Sequence, residues 1–189
     1  MAIGKFDPQE SRPEGLKDSI RIVVDEALTA LLEAFHDLID EQAWACPLPG
    51  RHNIVTLVLH MQHNIDIHAS FLQTGQWVLE HDPRFDIWQR RDPGDPARQH
   101  NLPPVKALLA RQQKLHPAVL AGLDQASDAD LFTPRAAEAK YWWRDAKRNS
   151  LSAYLRVVCH TNAHVRQVWL LRGAMGATDA RRWPQQHYH

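Results

Sequence analysis

Residues 150–176 read SLSAYLRVVCHTNAHVRQVWLLRGAMG, and this stretch decides the fold. Ala153, Val157, Val168, Leu171 and Met175 recur at steps of three and four, which places them on one face of a helix. Tyr154, Val158, Val165 and Trp169 form a second apolar stripe beside the first. A helix with two apolar flanks has more than one neighbour to pack on, or a second copy of the chain. Gly176 is the expected stop. The spacing therefore predicts a helix from about Ser150 to Met175, set inside an assembly of other helices.

Working outward, a connector from Asp124 to Arg148 precedes it. Before that, Val105, Leu108, Leu109, Leu115, Val119, Leu120 and Leu123 make the stripe of a third helix. It opens with Pro103 and Pro104 in its first turn, where a missing N–H costs little, and Pro117 is expected to kink it. A long irregular stretch from Gln76 to Leu102 separates it from a second helix, Asn53 to about Thr74. There Ile54, Leu57, Val58, Met61, Ile65 and Leu72 repeat, Asn53 is the expected N-cap and Gly75 the stop. The first helix is read from about Asp18 to Trp44, on Val24, Ala27, Leu28, Leu31, Phe35, Leu38 and Ile39, with Asp18 or Ser19 as cap and Pro47, Pro49 and Gly50 as its end. Four helices of roughly five to seven turns, with no alternating strand pattern, predict an all-α fold: a four-helix bundle of up-and-down type with a crossover. One domain over 1–189 is expected, its core about 18–176, between a polar N-terminal lead and a C-terminal tail.

Composition narrows function by exclusion. Lys plus Arg and Asp plus Glu each number 22, so the chain is formally neutral. Neutrality gives no general pull toward nucleic acid or an anionic membrane, and neither is expected as a partner. The local basic group Arg144, Lys147 and Arg148 reads as a solvated helix end. No apolar run approaches the roughly 18 residues of a membrane span, and residues 1–15 lack the apolar run of a signal peptide. Two cysteines, Cys46 and Cys159, are too few for a disulfide framework and read as reduced thiols of a soluble, cytoplasmic protein.

Chemistry points to the histidines, of which there are 12. At that frequency chance supplies on the order of one His-x-x-x-His pair, so the spacing carries little by itself. Position carries more. His160 and His164 lie four apart in the stripe of the last helix that faces the core, and a buried polar group needs a partner. A shared metal ion satisfies both imidazoles, and so do ordinary hydrogen bonds. Gln167, one turn on, is placed to orient a ligand. A third ligand must come from another helix. His68 lies in the middle of the second helix's apolar stripe, His60 on its shoulder, and His63 on the polar side, where it is expected to be solvated. Periodicity alone slightly favours His68. Cys159 beside His160 reads as a small buried residue rather than a nucleophile. Asp66, Glu138 and Asp145 read as surface charge, so no general base is assigned. Trp77, Trp88, Trp142 and Trp143, in or near the connectors, either line a mouth over the site or plug the bundle ends.

Asn53-Ile-Val-Thr-Leu-Val-Leu-His60, together with His160-Thr-Asn-Ala-His164-Val-Arg166-Gln167, resembles the DinB/YfiT-like superfamily of bacterial four-helix bundles. In that family a histidine in the first half of the second helix joins a His-x-x-x-His pair on the last helix, commonly followed by Gly-Gln. The segment Ala126-Ser-Asp-Ala-Asp-Leu131 is similar to the family's acidic turn and leucine. The resemblance spans about residues 20 to 176. Arg166 stands where the family usually has glycine, and the tail from Arg181 to His189 carries no motif. The resemblance implies a metal site of His60, His160 and His164 and leaves His68 as a satisfied core histidine. It implies a divalent ion (three imidazoles suit Zn, Ni, Fe or Co), a low-molecular-weight thiol as a further cofactor and a small-molecule substrate. The corresponding function is a thiol-dependent S-transferase or isomerase, or a hydrolase, working as a homodimer. The rival is a non-catalytic, stress-associated dimeric binding protein with a structural or vestigial metal site. If the bundle histidines hold no ion, His187 and His189 in the tail become the suspects.

Overall fold

Apolar residues at helical spacing do form helices, and their lengths depend on caps that come from elsewhere in the chain. The computed structural model describes residues 15–80, 102–133 and 149–177. The described elements are α1 (Leu16–Phe35), α2 (Asp40–Trp44), α3 (Ile54–Ile65), a π-helical segment (Asp66–Phe71), α4 (Leu72–Thr74), α5 (Val105–Gln125), α6 (Asp128–Phe132) and α7 (Ser150–Ala174). No β-strand occurs among the described residues. The expected stripes face inward: Val24, Leu28, Leu31 and Phe35 of α1, Val58, Met61 and Ile65 of α3, Leu108, Leu115 and Leu123 of α5, and Val157 and Val168 of α7 are fully buried or nearly so.

The four long helical rods form a bundle. α1 packs on α5 and α7, and α3 packs on the same two, so α1 and α3 lie across a diagonal. Cross-helix pairs give the directions. Arg21 with Asp124, Asp25 with His116 and Leu28 with Gln112 run α1 antiparallel to α5. His60 with His160 and His68 with Arg156 run α3 antiparallel to α7. Arg172 near the end of α7 meets Ala34 and Asp37 at the end of α1, so α1 and α7 run together. The order is up, down, down, up. α3 and α5 are therefore parallel, and the chain between α4 and α5 is the crossover.

Caps explain where the helices begin. Asn53 Oδ1 accepts from Thr56 N at 2.8 Å, and Asn149 Oδ1 accepts from Ser152 N at 2.9 Å, each satisfying an orphan N–H of the first turn. α1 departs from expectation. It starts at Leu16 behind Gly15, and neither Asp18 nor Ser19 is its cap. Asp128 of α6 accepts from Lys17 N at 2.8 Å and Leu16 N at 3.3 Å instead. α5 is treated likewise. It begins at Val105 with Pro104 as its N-cap residue, and Asp40 of α2 accepts from Val105 N at 2.7 Å.

The first helix is also shorter than its stripe implies, ending at Phe35, with α2 a separate turn. The break serves two carboxylates. Asp37 takes a two-pronged bond from the buried Arg172 guanidinium (2.6 and 3.0 Å), which holds its carboxyl below the usual carboxylate range, and Asp40 caps α5. α5 continues through Pro117, which lies on the exposed side of the helix. The second connector holds the short helix α6, closed by a capping box between Ser127 and Asp130.

The second stripe of α7 turns inward too. Tyr154 and Val165 are buried, and Val158 and Trp169 pack against the core. That stripe packs on the chain's own helices. No described helix is long and apolar enough to cross a membrane.

Candidate metal centre

α3 and α7 meet in antiparallel register, and each brings a line of polar side chains to the seam. On α7, Arg156, His160 and His164 follow at intervals of four. On α3, His60 and Asn64 do the same, and His68 follows in the π segment. Side chains at that spacing stack along one helix face.

His60, His160 and His164 come together. One ring nitrogen from each lies within 4.8 Å of the other two, and all three residues are half-buried. Ring centroids are 4.8 Å apart for His60 and His160, 4.9 Å for His60 and His164, and 4.5 Å for His160 and His164. His60 Nε2 and His160 Nε2 are 2.8 Å apart, so one donates a proton to the lone pair of the other.

Electrostatics favour neutral rings. Burial pushes the His60 imidazole down to about 3, helped by the neighbouring histidines, foremost His160 and His164. Burial pushes His160 down to about 4, with His164 and Arg156 adding to it. Neutral imidazole is the form that binds metal. His164 Nδ1–H donates to Gln167 Oε1 at 2.8 Å, which reserves its Nε2 lone pair. Such an outer partner fixes the tautomer of a metal-binding histidine.

These residues fit a divalent ion. Imidazole nitrogens about 2.0–2.1 Å from a first-row ion sit roughly 3.0–3.4 Å from each other. Small ring rotations bring three atoms that already lie within 4.8 Å to that spacing. The donor set is all nitrogen and uncharged, and among the described residues no carboxylate belongs to it.

His68 is placed differently. It is 1% exposed and accepts a hydrogen bond from Arg156 Nε at 3.1 Å through its Nε2. It is a buried histidine with Arg156 as a partner and stands outside the three-histidine cluster. The π segment around it sets its burial. Widening the helix buries Asp66, Ile67, His68, Ala69 and Ser70 together, which no α-helical stripe anticipates.

Three further expectations are corrected. Asp66 is no surface charge: it is 1% exposed, and its carboxylate accepts from Val78 N at 3.0 Å and Leu79 N at 2.8 Å, tying the π segment to the start of the crossover. Burial raises its pKa against those bonds. Cys159 is exposed, because its direction, about a hundred degrees from His160, points outward. His63 is half-buried, not simply solvated, and stacks on Trp77 with centroids 5.6 Å apart; Trp77 also stacks on Phe71 at 4.5 Å. Trp88, Trp142, Trp143, Glu138, Asp145, the Arg144–Arg148 cluster and His187 and His189 lie outside the described residues.

Sequence reasoning passed over Arg156 and Asn64. The signal was available: each stands one helical turn from a histidine of the cluster. Asn64 Oδ1 is buried and has no hydrogen-bond partner among the described residues.

Comparison with known families adds one finding. The profile of the DinB superfamily matches residues 24–168, and the chain belongs to that superfamily. No curated protein matches the chain. The matched span contains all three histidines of the cluster.

Proposed function

We propose that this DinB superfamily protein is a metal-dependent enzyme, a thiol-dependent S-transferase or isomerase or else a hydrolase, acting on a small molecule. The observation that carries the reading is the half-open cluster of three neutral imidazoles at the α3–α7 seam. His60, His160 and His164 would hold the ion, and Zn, Ni, Fe and Co all suit them. A divalent ion with open coordination positions supplies a Lewis acid that lowers the pKa of a water or thiol binding beside it. The protein's own part is to keep the three imidazoles uncharged by burial and to orient His164 through Gln167. Trp77, just past the end of the same helical rod, stacks on Phe71 and offers an apolar surface there.

The rival reading, a non-catalytic binding protein, draws on the tied-up state of Asp66, which leaves no carboxylate among the described residues of the cluster to act as a base. Metal per chain in protein purified without chelator tests the site. Turnover of electrophile panels with and without added low-molecular-weight thiol then tests the chemistry. About one ion per chain with thiol-dependent or hydrolytic turnover is expected; substoichiometric metal and no turnover would favour the binding protein. We also propose a homodimer in the cytoplasm. The family supports the dimer, with Leu155 and Leu170 exposed on the outer face of α7. Sedimentation showing only monomer at micromolar concentration would overturn that part.

A further inference from the structure

Ligation by His60, His160 and His164 would change what the far nitrogen of each ring must do. His60 Nε2 and His160 Nε2 lie 2.8 Å apart, so one of these two rings carries its proton on Nε2. A nitrogen that binds a metal offers a bare lone pair, so a ring ligating through Nε2 holds its proton on Nδ1 instead. That Nδ1–H needs an acceptor to fix the tautomer and the ring plane. For His164 the acceptor is in place: Gln167 Oε1, one turn on and 2.8 Å from Nδ1.

Asn64 stands to His60 much as Gln167 stands to His164. It follows His60 by four residues on α3, and side chains at that spacing stack on one helix face. Its Oδ1 is buried and has no hydrogen-bond partner among the described residues. An amide oxygen only accepts, so nothing but a donor satisfies it, and a buried acceptor left unmatched costs stability. We infer that Asn64 is the positioning residue of His60, its Oδ1 accepting the His60 Nδ1–H in the ligating tautomer. This rests on the reading of the cluster as a metal site. An unmatched Oδ1 fits a metal-free His60 that holds its proton on Nε2 and so has no Nδ1–H to give. Passing to the ligating tautomer changes no net charge: one proton leaves Nε2 for solvent, and solvent returns one to Nδ1. The N–H so made meets an acceptor already built into the seam. Each helix then carries a ligand together with the group that orients it, His60 with Asn64 on α3 and His164 with Gln167 on α7.

The test uses nitrogen-15-labelled full-length protein, metal-free and loaded with Zn(II). Two-bond proton–nitrogen correlations of the imidazole rings read the tautomers, and competition with a chromophoric chelator reads zinc affinity. In zinc-loaded wild type, His60 and His164 should each show an Nδ1–H that exchanges slowly with water. Asn64→Leu should lose the slow His60 signal, keep that of His164, and weaken zinc binding roughly 10- to 100-fold. Metal-free Asn64→Leu should keep or raise the urea midpoint, because it removes an unmatched acceptor; a merely structural asparagine would lower it. Asn64→Asp retains an acceptor oxygen and should restore the His60 signal. Zinc affinity and a His60 signal both unchanged in Asn64→Leu overturn the inference while the metal reading stands. A lowered urea midpoint with no recovery of the His60 signal in Asn64→Asp also overturns it. Wild-type protein that takes up no zinc overturns the metal reading and this inference together.

Discussion

His60 and His68 stand eight residues apart on one helical rod, and both turn toward α7. What they meet there separates them. His60 meets two imidazoles, groups that bring lone pairs and can turn them toward a common centre. His68 meets a guanidinium, which carries only donors and consumes the lone pair of His68 Nε2. The two environments also differ in access: His60 is half-buried, and His68 is sealed at 1% exposure. Burial of a histidine by itself says nothing about metal. The chemistry of the facing residue decides between a ligand and a satisfied interior group.

The largest test of this contrast is alanine replacement at each histidine. His60→Ala, His160→Ala and His164→Ala are each expected to lose the ion on dialysis while keeping helical circular dichroism, and His68→Ala to keep it. Elemental analysis per chain reads the outcome. Metal lost from His68→Ala and kept by His60→Ala would invert the comparison, and metal kept in all four would move the site to the tail.

Acid sharpens the contrast in metal-free protein. The folded pKa values of His60 and His160, about 3 and about 4, lie below the ordinary 6.5, so between those limits the unfolded chain binds more protons. The stabilising effect of keeping these rings neutral is complete above 6.5 and is lost as pH falls toward 4. Urea midpoints should therefore drop more steeply from pH 6.5 to 4 in wild type than in His60→Leu; parallel curves would contradict the buried, neutral cluster.

Smaller effects follow. Gln167→Leu frees His164 Nδ1 and should weaken metal binding roughly 10- to 100-fold with the fold intact, read by competition with a chromophoric chelator. His68→Ala should cost about 1–3 kcal/mol in urea unfolding, the loss of a buried side chain and its bond to Arg156. Smallest is Asp128→Ala, far from the seam. Losing the cap of α1 should cost about 1 kcal/mol with metal content unchanged.

Most of the bundle was legible in the chain because apolar spacing is a local signal. Val24 through Phe35, Ile54 through Ile65 and Val105 through Leu123 declare their buried faces within a few residues of themselves. Asn53 declares a cap in the same way. The break after Phe35 was not legible, because its cause is distant. Asp37 answers Arg172, and Asp40 answers Val105, 65 residues on. α1 is capped by Asp128, 111 residues from Lys17. No window centred on α1 contains that carboxylate.

The metal centre divides along the same line. By itself the sequence determined that His160 and His164 share a helix face turned toward the core, because residues four apart stack whatever the helix packs on. It also offered His60 and His68 on a second helix, with spacing slightly favouring His68. The choice belongs to tertiary structure: the antiparallel register of α3 against α7 sets His60 opposite the two imidazoles, and the π segment turns His68 toward Arg156. A periodicity can say which way a side chain points along its own helix. Only the packing of two helices, a balance of contacts between residues about a hundred positions apart, says what it will meet there.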